Sequence, residues 1–187
     1  MNYYYFAASL PTLSLDERPP FSSERFRALC GSHLSRNDLQ ALDELTADGG
    51  AAAGADSPRP AHAYVAAWRN HETQVRNAVA RARGARHKRD AAPFLREADG
   101  FDLSVERAVS DAFARPTPLA REQALDRFRW SRAGELAGYN PFGTAAILAY
   151  ALQLRLSERW AAMSAEQGRQ TAESIVLRNP GNEPKTA

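Results

Sequence analysis

Apolar residues in this chain recur at steps of three, four and seven, the spacing of helices that bury one face. The stretch AHAYVAAWRNHETQVRNAVARARGARHKRD predicts one long helix, with Tyr64, Trp68, Val75 and Val79 on a single stripe. Glu72 precedes Arg76 by four residues, the better order for a helical ion pair. Gly84 is expected to interrupt this helix or to end its packed part. Leu103, Val105, Val109 and Phe113 mark a further helix. ARPTPLAREQALDRFRW marks the next, with Thr117 as N-cap, Pro118 at the first position, and Leu125 and Phe128 inward. AGYNPFG reads as a turn. TAAILAYALQLRLSERWAAMSAEQ then predicts a long helix burying Ile147, Leu148, Ala151, Leu152 and Trp160.

The first third is less regular. Residues 3–6 are aromatic and have strand-like propensity, which predicts a short extended segment whose alternate side chains, Tyr4 and Phe6, pack on the long helices. Pro11, Pro19 and Pro20 bracket an irregular stretch. A short helix over 23–30 would bury Phe26 and Leu29, with Gly31 ending it. Ser35 with Asp38 resembles a capping box ahead of Leu39, Leu42 and Leu45. TADGGAAAGADSPRP holds almost nothing to bury and reads as a linker. Beyond Leu177, Pro180, Gly181 and Pro184 block regular structure. The expected fold is mainly α, a bundle of long antiparallel helices with a short extended aromatic N-terminal segment. Its expected divisions are 1–46, a flexible linker at 47–60, the helical bundle at 61–177 and a disordered tail at 178–187.

Tyr64, Arg69 and Glu72 recur at one offset as Tyr150, Arg155 and Glu158. Either a duplicated helical hairpin or chance in an Ala- and Arg-rich chain produces such an echo. The simplest role for both sets is to hold the bundle together.

Composition adds a limit. The hydrophobic share is 44% of 187 residues, but alanine inflates it, so the core should be modest and dependent on long helices or a partner. The net charge of +2 excludes a polycation and moves attention to local clumping. One cysteine, Cys30, permits no intramolecular disulfide, and the aromatic start lacks the basic flank and length of a signal peptide. No apolar run approaches the roughly 20 residues that span a bilayer. These features predict a cytoplasmic protein without direct membrane insertion.

Candidate chemistry is sparse. No pair among His33, His62, His71 and His87 has helical zinc spacing, and no CxxC occurs. DGGAAAGAD is glycine-rich but leads to no GK[ST], so it reads as linker rather than a phosphate loop. Cys30 and His33 are three apart, but no orienting third group is evident, and a small buried thiol is the simpler reading. Glu97, Asp99, Asp102 and Glu106 cluster near a predicted helix start, where carboxylates ordinarily cap and meet the macrodipole. No catalytic residue, metal, cofactor or small-molecule substrate is therefore expected. The strongest electrostatic feature is RNAVARARGARHKR, in which Arg81, Arg83, Arg86, Lys88 and Arg89 form a candidate partner surface. A solvated helix end accounts for the same charges. The run lacks the stacking aromatics of nucleic-acid binders, which counts against RNA or DNA.

Two stretches resemble known families. YYYFAASLP, then Phe26, then Leu34, Ser35, Asp38 and Leu42, resembles the start of an uncharacterised bacterial family encoded among V-type ATPase subunits. NPFGTAAILAYALQLRLSERW is more distantly similar to the C-subunit family of V-type ATPases, the d-subunit of eukaryotes. So is the helix carrying Trp68, Glu72, Arg76, Asn77 and Arg83. Ala162 and Met163 stand where an Arg-Asn pair would repeat, and the chain is shorter than a three-lobed C-subunit. The resemblance implies a non-catalytic, all-helical accessory or central-stalk component. It would bind the rotor shaft or membrane ring and sit in the cytoplasm, peripheral to the membrane. The rival expectation is a nucleic-acid-binding or regulatory adaptor using the arginine-rich helix 76–89; a small enzyme around Cys30 and His33 is a remote third.

Overall fold

A computed structural model describes residues 2–47 and 62–163, and among these the fold is all helix. The helices are α1 (Tyr4–Ser9), α2 (Ser23–His33), α3 (Arg36–Thr46), α4 (Ala63–His87), α5 (Leu103–Phe113), α6 (Pro118–Ala137) and α7 (Thr144–Ala162). The predicted linker beyond Ala47, the extension of the last helix beyond Met163 and the predicted tail lie outside the described residues. A fifteen-residue connection joins α4 to α5 and short turns join α5, α6 and α7, so that these helices pack as a bundle, and α2 and α3 lie chiefly against α7.

Local chemistry sets the helix starts. Ser22, Ser35, Asp102 and Thr117 each accept a backbone N–H of the first turn. Pro118 occupies the first position of α6, where its missing N–H costs nothing. At α2 a second acceptor arrives from far along the chain: Glu158 of α7 takes the Ser23 N–H at 2.8 Å and also the Ser23 hydroxyl. The carboxylate thus neutralises an N-terminal helix end while tying α2 to α7.

Two expectations need correction, and the choice left open at Gly84 is settled. Residues 4–9 are helical, not extended. Tyr3 and Phe6, three apart, are the buried pair, whereas Tyr4 is 54% and Tyr5 95% exposed. Helical spacing lets both rings enter one pocket, and that burial outweighs strand propensity. Asn2 alone of this stretch pairs as a strand would, in an isolated bridge to Gly143, and Pro11 forces Leu10 out of the helix. Gly31 does not end α2, which runs to His33, because Cys30 and Leu34 continue its buried face. Gly84 does not interrupt α4. It permits the tight end, where Arg89 N–H returns to the Gly84 carbonyl at 2.9 Å and Lys88 adopts φ 52°. A Cβ on Gly84 would lie 2.7 Å from the Arg89 carbonyl oxygen.

The connection from α4 to α5 is bound to α4 by a ladder of amides. Asn70, Gln74 and Asn77 share one α4 face. Asn77 exchanges two hydrogen bonds with Arg96 backbone, at 2.7 and 2.9 Å. Asn70 does the same with Asp99, and Gln74 holds Asp99 and Asp102. Side chains here replace the backbone partners a loop would otherwise take from water.

Two separate cores result. The larger joins α1, α2, α3, the start of α4, the end of α6 and α7 around Tyr3, Phe6, Phe26, Trp68, Leu148 and Leu154. The smaller joins α4, α5 and α6 through Val75, Ala78, Val105, Val109, Ala112 and Leu125. Leu103, one of the residues that mark α5, is 52% exposed, because it lies in the first turn of α5, off the stripe of Val105 and Val109.

Candidate functional site

The most elaborate chemistry in the molecule is a buried charge network between the two cores. Asp126 of α6 is 0% exposed. One carboxylate oxygen accepts Arg129 at 2.9 Å; the other accepts Arg159 at 2.9 Å and the Trp160 indole N–H at 3.0 Å. Arg129 also donates to Glu72 of α4 at 2.9 Å, and Arg159 approaches Glu122 at 3.6 Å. Burial works against the Arg129 charge, but Glu72 and Asp126 outweigh it and hold its pKa above the ordinary value. The network crosses α4, α6 and α7, fixing their rotation by paired charges. Glu72 therefore turns to Arg129, not to Arg76 as its helical spacing predicts.

His71, next to Glu72, is 3% exposed, and neither ring nitrogen has a hydrogen-bond partner. It sits between Trp68 and Phe128, with ring centroids 5.5 and 5.3 Å away. Burial, reinforced by Arg132 and Arg129 and opposed by Asp102, lowers its pKa to about 4. His71 is thus a neutral packing ring at ordinary pH. Cys30 is fully buried, and burial pushes its thiol up to about 12, which suits a packing role and not a nucleophile. His33 instead lies on the Phe6 ring, centroids 4.6 Å apart.

The echoed residues do comparable work with different partners. Tyr64 is buried and donates to the Ala133 carbonyl of α6 at 3.0 Å. Tyr150 donates to the Pro11 carbonyl at 3.0 Å, and burial raises its pKa to about 12. Glu72 meets Arg129, while Glu158 caps α2. Arg155 donates to the Thr46 carbonyl at 2.6 Å. Arg69 is half-buried, with its Nε enclosed and unpartnered. Trp68 belongs to the larger core, Arg76 is half-buried, and Asn77 clamps the loop at Arg96. These positions all face the interior of the bundle or its seams.

Asp99, Asp102 and Glu106 of the acidic cluster separate into structural positions, and Glu97 is exposed. Asp102 caps α5, and its hydrogen bond from Ser104 lowers its pKa. Glu106 pairs with Arg81, and the Asp99 backbone is held by Asn70. The described residues contain no group of three His, Cys, Asp or Glu able to hold a metal ion. No described helix is long and apolar enough to cross a membrane.

Two surfaces stand out for contact with other molecules. Arg81, Arg83, Arg86, Lys88 and Arg89 are all exposed at the end of α4. At the α6–α7 turn, Tyr4, Tyr5 and Tyr139 expose aromatic rings, Tyr4 lying against Phe142. Asn2 and Asn140 bond side chain to side chain at 2.8 Å, and Tyr3 N–H bonds the Phe142 carbonyl at 2.6 Å. The Tyr3 hydroxyl donates to Asp38, joining the aromatic start to the α3 cap. The AGYNPFG turn and the aromatic start thus form one pole.

Sequence reasoning missed Asp126. Its signal was position: Asp126, Arg129 and Ala133 fall three and seven apart, beside the stripe of Leu125 and Phe128. An Asp–Arg pair at that spacing reads as an exposed helical ion pair until the packing of α4 and α7 is known.

Fold and surfaces together define an all-helical bundle internally locked by buried charge, with a cationic end and an aromatic pole. Residues 63–178 match the family described as "Protein of unknown function (DUF2764)", and the chain belongs to that family. No curated protein and no solved structure matches it.

Proposed function

We propose that this protein is a non-catalytic accessory or central-stalk component of a bacterial V-type ATPase, similar in role to the C-subunit. The observation that carries the reading is the resemblance of two segments, 64–84 and 140–160, to the helices of that family. They correspond to most of α4 and α7, two of the bundle's longest helices. A component that transmits torque or holds a rotor together needs stiff helices and fixed interfaces. The Asp126–Arg129–Glu72 network supports this by locking α4, α6 and α7 to one another. The exposed arginines and the aromatic pole are the surfaces offered to a shaft or ring. The protein acts in the cytoplasm, reaching the membrane through the complex. The test is affinity purification of the tagged chain from its own host under mild detergent, scored for named ATPase subunits. Recovery of shaft or ring subunits is expected. The reading fails if the ATPase isolates intact without this chain.

The exposed run 81–89 also favours a second reading, a nucleic-acid-binding adaptor. That reading requires binding to generic oligonucleotides at low salt with affinity falling steeply as salt rises. No binding at low salt removes it.

A further inference from the structure

We infer that the cleft between the second half of α4 and α5 is a docking groove for an acidic amphipathic helix of a partner protein. The inference rests on the reading that this chain works through protein contacts, but not on the partner being part of an ATPase. The groove encloses about 640 Å³. Its α4 wall is Ala78, Ala82 and Ala85, four and three residues apart and therefore on one helical face. Val109 and Phe113 of α5 form the opposite wall. Ala78 and Val109, both members of the smaller core, form the base of the cleft, and Ala82, Ala85 and the edge of Phe113 are its more accessible apolar lining. Alanines let a second helix approach closely, and seven residues of wall span about 10 Å, two turns of an occupant.

The rim supplies the charge. Arg81, Arg86, Arg115 and Arg121 line the groove, and the only acid there among the described residues, Glu106, is already paired with Arg81. Arg121 lies over the Phe113 ring at 4.5 Å, with its Nε enclosed and without a partner. An apolar floor with a cationic rim complements a helix bearing apolar anchors at i, i+3 or i+4 and i+7, flanked by carboxylates. Nucleic acid fits less well. The one aromatic present is half-buried and capped by Arg121, so it offers no open stacking face. The groove also divides the cationic run: Arg81 and Arg86 line it, whereas Arg83, Lys88 and Arg89 stand outside.

The test is fluorescence anisotropy with the full chain and a lactam-stapled peptide of roughly four turns carrying Leu anchors flanked by Glu. Controls are the same peptide with Lys for every Glu, and a single-stranded RNA of mixed sequence. The Glu peptide should bind about ten-fold or more tightly than the Lys peptide. The double variant Arg86→Glu/Arg115→Glu should weaken it by a similar factor, and Ala82→Trp, which fills the floor, should do the same. Arg83→Glu/Lys88→Glu should change binding less than about two-fold. All these side chains except Ala82 are exposed, and circular dichroism melts verify folding of each variant. Equal binding of the two peptides, no binding of either, equal loss from the Arg83/Lys88 pair, or displacement of the peptide by RNA overturns the inference. Peptide binding is read on the purified chain, so recovery or loss of ATPase subunits in the host neither mimics nor hides it.

Discussion

The two ends of the bundle are built differently. At one, Tyr3, Phe6, Phe26, Tyr64 and Trp68 interlock with the leucines of α7 in a deep aromatic core to which six helices contribute. At the other, α4, α5 and α6 meet through six buried residues, none aromatic and two of them alanine. Truncating a buried aromatic costs about 3–5 kcal/mol, whereas a buried valine contributes about 1.5–3 kcal/mol in full. Stability is therefore concentrated at the aromatic end, and the thin end leaves its groove and its arginines for contact. Asp126 and His71 lie on the boundary, where charge and an unpaired ring replace apolar filling.

The largest effect should come from stripping the thick core. Removing residues 2–10 takes away Tyr3 and Phe6, about 5 kcal/mol or more, and should lower Tm by on the order of 10–20 °C. An unchanged thermal melt would show that the aromatic start contributes nothing to that core. Next is the boundary: Asp126→Ala removes the acceptor that Arg129, Arg159 and Trp160 share, leaving Arg129 with Glu72 and Arg159 with Glu122, and should cost about 3–5 kcal/mol in urea unfolding. A loss below about 1 kcal/mol would mean water solvates those arginines and the ends are not locked.

The same boundary should respond to acid. Unfolded His71 titrates near 6.5 but folded His71 near 4, so the unfolded chain binds a proton first as pH falls. The stabilisation is complete above pH 6.5 and disappears between 6.5 and 4, about 3 kcal/mol in all. The facing charges are Arg129 and Arg132 of α6 and Asp102 at the start of α5. His71→Phe should flatten that part of the stability–pH curve; equal slopes in the two proteins would show that His71 is hydrated. The smallest effect belongs to the thin core, where Val109→Ala should cost about 1–2 kcal/mol. Hydrogen exchange should likewise be faster in α5 than in α7, and the reverse order would invert the comparison.

Much of the fold was legible because it is local. Ser35, Asp102 and Thr117 announce helix starts by side-chain chemistry alone, and Tyr64, Trp68 and Val75 mark a buried stripe by spacing. The failures share one cause, partners distant in sequence. Residues 3–6 carry strand propensity, yet Tyr3 bonds Asp38 and the turn carbonyl of Phe142. The α2 cap comes partly from Glu158, 135 residues away. Asp126 reads as half of a surface pair until Arg159 and Trp160 arrive from α7. Of the candidate surface, the cationic run was visible, but its division by the groove depends on Val109, Phe113, Arg115 and Arg121, which lie roughly 20 to 40 residues further on.

The dependence of α2 and α3 on α7 also has a consequence in time. Both helices are synthesised early, yet the face that Phe26, Leu42 and Leu45 bury is supplied largely by α7. Roughly 100 residues separate the end of α3 from the start of α7, about 5–20 s of translation at ordinary ribosomal speed. Throughout that interval only the partners made earlier, such as Phe6 and Phe21 against Phe26, can cover these side chains, so the nascent chain exposes more of this apolar face than the finished protein does.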